Sequence, residues 1–238
     1  MSESIQSTYL KKYTKVWDEN LKLDTNFKDV LERGFAFQYD GLKESPDILF
    51  LGINPSFKEG SEEWRGSYSI VGLTNPGYFK SFERIQDRLE SGYKTKTKVT
   101  HLDLCVFRET NQKFIKKVLF KSDNGLKFIS DQIKISKEIL EEIKPKIIVC
   151  SNTMAKHLLG RDRSENKKGK EEGVWLGYDF EFNKELGTDI ITGNSEEGTK
   201  LDGTPIFFTS MLSGQRALDN GSKERLIWHI NKALEWKK

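Results

Sequence analysis

A chain of 238 residues with 32% charged side chains and a net charge of +3 is long enough for one domain with a sizeable core, and its near-balanced charge singles out no nucleic acid or membrane partner by itself. Cys105 and Cys150 lie in apolar runs outside any CxxC pair, so buried free thiols are expected, and a zinc or iron–sulfur site would need more ligands. The start, MSESIQSTYLKKY, lacks the apolar core of a signal peptide and no run approaches the length of a membrane span, so a soluble cytoplasmic chain is expected.

Ile5, Tyr9, Tyr13, Val16, Trp17 and Leu21 recur at helical spacing and predict an amphipathic helix over 5–23. The run ILFL at 48–51 is continuously apolar, the pattern of a strand covered on both faces. It runs into Gly52, Ile53, Asn54, Pro55 and Ser56. A helix is expected over 79–91, a second strand over 98–107, and a strong helix over 126–143 that Pro145 stops. A third strand follows at 147–150 and a short helix at 152–159. The segment 161–172 is almost wholly polar and reads as a solvated loop. A strand or hairpin is expected over 174–182, a loop over 189–200, a fourth strand over 205–209 and a closing helix over 222–236.

Helices that alternate with strands imply an α/β fold with a short, mostly parallel four-stranded sheet, in one domain over 1–238 with a helical extension to about residue 44. In such sheets the ligand crevice lies beyond the carboxyl ends of the strands. That rule alone selects 52–55, 103–108, 150–152 and 209–213.

These strand ends carry a family resemblance. ILFLGINPSF resembles the first motif of the uracil-DNA glycosylase superfamily, which reads GINPG in the mismatch-specific branch and GMNPG in the single-strand-selective branch. GSYSIVGLTNPGYFKSFERI is similar to the family segment of small residues, a His- or Asn-Pro pair and an aromatic that leads into a helix. VTHLDLCVFRETN resembles the strand that other branches write as ITNxVKCRPP, and IIVCSNTMAKHLLG resembles LLxxGxxAxxxLLG. IFFTSMLSGQRALD takes the place of the second motif, HPSPLS or NPSGLS. The motifs stand in family order from about residue 45 to the last helix. The resemblance implies a three-layer α/β/α sandwich, a DNA partner, a monomer without metal or cofactor, and hydrolysis of the N-glycosidic bond of a damaged base flipped into a pocket.

By the same resemblance Asn54 positions the attacking water and Pro55 stiffens its turn. An amide cannot accept a proton as a carboxylate does, so slower chemistry is expected than in branches with Asp or Glu there. The alternative for Asn54 is a hydrogen bond to its own turn. Gly52, Ile53 and Ser151 are expected in the base pocket, and Tyr68 is chosen over Trp64 and Phe79 as its stacking aromatic. Asp103 falls where uracil-reading branches hold Asn. An ionised carboxylate only accepts, so poor uracil recognition is expected, unless Asp103 turns aside to Arg108, His101 or a backbone N–H. His101 shares a face with Asp103 by strand parity and is expected as a satisfied structural histidine.

The second motif departs most. Ser210 matches the family Ser, assigned with Asn54 to catalysis, but Phe208 stands where other branches carry the His that donates to the leaving base. Loss of one such donor lowers rates by about 10²–10³. Leu212 matches an apolar wedge inserted into the base stack, or else packs on the domain. Ser213, Gly214 and Arg216 suit phosphate contacts, while Lys223 and Arg225 read as solvated surface. Two further function classes stand beside the glycosylase: a nucleic-acid-binding member of the same fold with weak or no catalysis, and an α/β enzyme of small nucleotides. The absence of GxGxxG and P-loop signatures weakens the last.

Overall fold

The apolar runs at 48–51 and 147–150 show no polar alternation because both faces of those strands are buried. A computed structural model describes residues 5–38, 45–58, 60, 63–68, 76–160, 164–165, 171–172, 175–194, 197–214 and 217–236. The chain begins with helices α1 (Ile5–Leu21) and α2 (Lys28–Glu32), then strands β1 (Gly34–Gln38), β2 (Ile48–Gly52) and β3 (Trp64–Tyr68). Helix α3 (Pro76–Tyr93), strand β4 (Val99–Asp103), helices α4 (Gln112–Lys117) and α5 (Asp123–Ile143), strand β5 (Ile147–Cys150) and helix α6 (Thr153–Leu159) follow. Strands β6 (Ser164–Glu165), β7 (Glu171–Glu172), β8 (Tyr178–Asn183), β9 (Thr188–Asn194) and β10 (Pro205–Phe208) lead to α7 (Asn220–Trp236).

The fold is mixed α/β with a largely parallel main sheet in the order β4-β2-β5-β10-β9-β8. The four strands expected from the sequence, β2, β4, β5 and β10, stand side by side and parallel. The sheet is wider than four strands, because β9 and β8 continue it as an antiparallel hairpin. The segment 189–200, expected as a loop, contributes most of β9. Ile190 and Ile191 carry too little apolar pattern to mark a strand, and pairing with β10 and β8 makes it one. The polar segment 161–172 contains the two-residue pair β6–β7.

Strands β1 and β3, unmarked in the sequence, form a separate parallel pair. Gly34 permits their approach: its φ is +73°, and a Cβ there would lie 2.2 Å from the Trp64 carbonyl oxygen. Helix α1, within the segment expected as a helical extension, packs into the main core. Tyr13 and Trp17 are fully buried in the same cluster as the sheet, and Trp17 Nε1 donates to the Leu31 carbonyl at 2.9 Å.

Side chains of the strands alternate between two cores. Leu49, Leu51, Ile148, Cys150 and Ile206 pack with α1, α5 and α6, whereas Ile48, Phe50, Ile147, Val149 and Phe207 pack with α3 and α7. The chain therefore runs from β2 to β4 along one face and from β4 to β5 along the other, and β4 and β5 flank β2. That reversal at β2 opens a crevice at the carboxyl ends of the three strands. Among the described residues no helix is long and apolar enough to cross a membrane.

Helix α5 also carries buried polar groups. Ser122 caps its start by accepting from Gly125 N at 3.1 Å, and Lys144 ends it in the left-handed region, just before Pro145. In its interior, the Gln132 carbonyl accepts from Val106 N at 2.9 Å and Phe107 N at 3.3 Å, while its amide donates to the Phe128 carbonyl at 3.0 Å. Gln132→Leu keeps the volume and leaves two buried N–H groups without partners. It is expected to lower unfolding free energy by about 2–4 kcal/mol. A urea titration checks this by a lower midpoint at unchanged slope.

Candidate functional site

A cavity of about 310 Å³ occupies the crevice. Gly52 through Ser56 line it from the end of β2, His101 and Asp103 from β4, and Ser151 and Asn152 from the end of β5. Tyr78 and Phe79 from the first turns of α3, Gln112 from α4, and Met211 with Leu212 beyond β10 complete the wall.

The first wall is built by a loop-to-loop zipper. The β2–β4 pairing continues past the strand ends, with Leu104 N donating to the Gly52 carbonyl at 3.2 Å and Cys105 N to the Ile53 carbonyl at 2.8 Å. Glu109 N then donates to the Pro55 carbonyl at 3.0 Å. Phe57 N donates to Thr110 Oγ1 at 3.0 Å, and that hydroxyl donates back to the Phe57 carbonyl at 2.6 Å. Within the zipper the Asn54 amide nitrogen donates to the carbonyls of Glu109 at 2.7 Å, Pro55 at 3.0 Å and Phe107 at 3.3 Å. Carbonyl oxygens only accept, so the nitrogen must face them and the amide oxygen is the atom left for a ligand. The turn-bonding alternative for Asn54 is thus what its nitrogen does.

Asp103 lies directly opposite Gly52 in the sheet register. A Cβ on residue 52 would sit 2.1 Å from Asp103 Oδ1, so only glycine leaves room for the carboxyl there. His101 Nε2 stands 3.6 Å from that same oxygen, beyond a hydrogen bond. The imidazole stacks on Phe82 at 5.5 Å between ring centres and meets the edges of Phe79 at 5.4 Å and Tyr78 at 5.9 Å. It is buried, and neither ring nitrogen has a hydrogen-bond partner among the described residues. The expectation of a satisfied structural histidine is therefore corrected: the apolar cage supplies no acceptor. Burial pushes the Asp103 carboxyl up to about 8 and holds His101 down at about 3. Among the described residues no ion pair joins Arg108 to Asp103; Arg108 donates to the Arg33 carbonyl at 2.9 Å and lies over the Phe57 ring.

Asn54, Asp103 and Ser151 share one cavity with Gly52, Ile53 and Pro55, as expected from the strand ends. Ser210 is exposed and is not among the described residues that line it. The reason is that β10 ends at Phe208 and the following segment folds back, with Leu218 N donating to the Met211 carbonyl at 3.0 Å. Leu212 is 3% exposed and packs in the α3–α7 core, which corrects its reading as a wedge: burial of its side chain is the favourable state. Ser213 is half-buried, and Gly214 is exposed with a φ of +80°. Arg216 lies outside the described residues. Tyr68 pairs with Gln38 through its backbone in β3, and its side chain is outside the described set. The aromatic wall recorded for the cavity is Tyr78 and Phe79. Tyr78 is not among the residues singled out by the sequence, and the signal for it is its place right after Pro76-Gly77, at a helix start.

Among the described residues no group of three or more His, Cys, Asp or Glu side chains is placed to hold a metal ion. Cys105 and Cys150 are buried free thiols. Fold and cavity together define a mixed α/β protein with a ligand-sized crevice at the reversal point of its parallel strands. No family model matches the chain, and no curated protein matches it significantly.

The buried pair fixes a pH dependence of stability. An unfolded Asp loses its proton near about 4, whereas folded Asp103 keeps it to about 8, so stability falls as pH rises through that window. His101 acts oppositely: an unfolded imidazole gains its proton below about 6.5 while the buried ring stays neutral down to about 3, so stability is lost as pH falls below 6.5. The two slopes cancel between about 4 and 6.5, and the Asp103 slope stands alone above that. Urea unfolding of the parent should show about 2 kcal/mol lost between about pH 6.5 and 8, beyond any loss in Asp103→Asn.

Proposed function

We propose that this chain is a uracil-DNA glycosylase-like protein, a three-layer α/β/α sandwich that acts as a cytoplasmic monomer and hydrolyses the N-glycosidic bond of a damaged base in DNA without a metal or cofactor. The observation that carries the reading is the fixed Asn54 amide. Asn54 lines the cavity and its nitrogen is tied to three main-chain carbonyls, which fixes the amide's rotamer and leaves its oxygen as the atom free to accept from a ligand.

A base flipped from the helix enters the cavity against Tyr78 and Phe79. A water that donates to Asn54 Oδ1 is held against the anomeric carbon, and its oxygen attacks as the bond to the base breaks. The amide takes no proton, so the water's proton leaves to solvent as the hydroxyl forms, while the base departs with the bonding electron pair and takes a proton from solvent. Catalysis then rests on positioning and on stabilising the departing base, and turnover is slow.

The second reading is a nucleic-acid-binding member of the same fold with weak or no catalysis. Two observations favour it: Ser210 is exposed away from the cavity, and the Phe208 ring packs edge-on against Phe180 at 5.3 Å. The β10 end thus brings no side-chain donor to a leaving base among the described residues. Oligonucleotides carrying uracil, hypoxanthine, xanthine or oxidised pyrimidines, followed by alkaline cleavage of abasic sites, separate the two readings. Strand breaks at any lesion support the first, and salt-sensitive binding without breaks supports the second.

If the glycosylase reading holds, Asn54→Ala should lower single-turnover excision by about 10²-fold or more while DNA affinity changes little, because a water-positioning group acts in the transition state. Because the variant also loses the three amide bonds of the zipper, circular dichroism and thermal melting are compared with the parent's, and the excision result counts only where the fold is retained. Excision equal to the parent's would leave Asn54 a structural residue only.

A further inference from the structure

The proposed chemistry leaves the buried His101–Asp103 pair unused. Four observations bear on it. Asp103 lines the cavity in space that a side chain at Gly52 would fill. Among the described residues no Lys or Arg pairs with its carboxyl; the basic group recorded beside it is His101, at 3.6 Å. His101 is 1% exposed, lines the same cavity, and has two ring nitrogens without partners. Among the described residues the other titratable groups that interact with Asp103 are Tyr78 from α3, which keeps 36% of its surface exposed, Cys105 beyond β4 and Tyr13 from α1, and desolvation, with the nearby carboxyl, raises all three so that they stay protonated and uncharged. An isolated carboxylate without a cation or N–H donors is the costly state in such a place. The neutral acid is the cheaper one, and the pair then holds a single proton.

We propose that Asp103 reads the base as an uncharged acid. Its carboxyl O–H donates to a base carbonyl oxygen while its carbonyl oxygen accepts from the adjoining ring N–H, so the ligand edge is a lactam, N–H beside C=O. This inference rests on the base-excision reading. It reverses the expectation from the residue type alone: an ionised Asp would set an acceptor against the carbonyl, but a protonated one carries the same donor and acceptor pair as an Asn amide. His101 limits where the proton sits, because its Nε2 adjoins Oδ1 and its burial keeps the ring neutral. Recognition of a lactam edge is then lost once Asp103 ionises, near pH 8.

Two measurements test it on the full chain. The first follows the Asp103 side-chain carboxyl by ¹³C NMR in the free protein from pH 5 to 10, which needs no ligand. A carboxyl still protonated at pH 7 is expected, and one ionised at pH 6 overturns the proposal. The second measures affinity for an abasic-resistant oligonucleotide carrying 2′-fluoro-deoxyuridine or its hypoxanthine analogue, in the parent and Asp103→Asn, against the unmodified strand. The parent's preference for the lactam base should fall about tenfold per pH unit above pH 8, and that of Asp103→Asn should stay flat, since an amide does not titrate there. Titration of the base itself affects both proteins equally and cancels in their ratio. A constant ratio over the range overturns the inference alone. No preference for any lesion by either protein at any pH removes the base-excision reading and this inference with it.

Discussion

The hydrogen-bonded zipper between the loop after β2 and the loop after β4 is the constraint on which the site depends. Parallel strands normally part at their carboxyl ends, because the chain must turn away to reach its crossover helix. Here the ladder runs on through Ile53, Pro55 and Phe57 against Cys105, Glu109 and Thr110. Proline at position 55 cannot donate, so the loop uses carbonyls and one side-chain amide in place of a full ladder. Asn54 supplies that amide. A single residue therefore closes the scaffold and presents an acceptor, and the two roles use different atoms.

The zipper is held from beneath by helix α5. Gln132 accepts from the N–H groups of Val106 and Phe107, Ser136 Oγ donates to the Leu104 carbonyl at 2.8 Å, and Tyr13 from α1 meets Ser136 at 2.9 Å. Strand β1 adds a bond from Ala36 N to the Val106 carbonyl at 2.9 Å. Buried polar groups of this kind favour one arrangement, since any shift leaves a donor or acceptor unpaired. The opposite wall is built otherwise. Beyond β10 the chain is anchored by the apolar side chain of Leu212, while Ser210 and Gly214 remain exposed. The first wall is thus specified by side-chain and backbone bonds together, and the second by a few backbone bonds and the burial of Leu212, which fix position less tightly.

The His101–Asp103 pair shows how one register sets chemistry. Gly52 opposite Asp103 leaves room for a carboxyl, and alternation along β4 puts the imidazole on the same face, against Phe82 of α3. Among the described residues neither group reaches a hydrogen-bond donor or a Lys or Arg that would keep it charged. Their electrostatics follow from which helix covers that face of the sheet, a property of packing and of neither residue type.

Much of the scaffold was readable from the chain alone. Apolar runs bounded by Gly, Pro and Asn located β2, β5 and β10, helical periodicity located α1, α3, α5 and α7, and the strand-end rule selected Asn54, Asp103 and Ser151. These signals are local: they need only the period of hydrophobic residues and the chemistry of turns. What stayed hidden depends on partners distant in sequence. β1, β3 and β9 carry weak patterns and become strands only by pairing, Ser210 stays exposed beyond the end of β10, and Tyr78 lines the cavity because the start of α3 packs on His101 of β4. The upward shift of the Asp103 carboxyl belongs to the same class. Residue type predicts an anion, and only the surroundings that tertiary structure assembles, burial with no Lys or Arg paired to the carboxyl among the described residues, push its ionisation up to about 8.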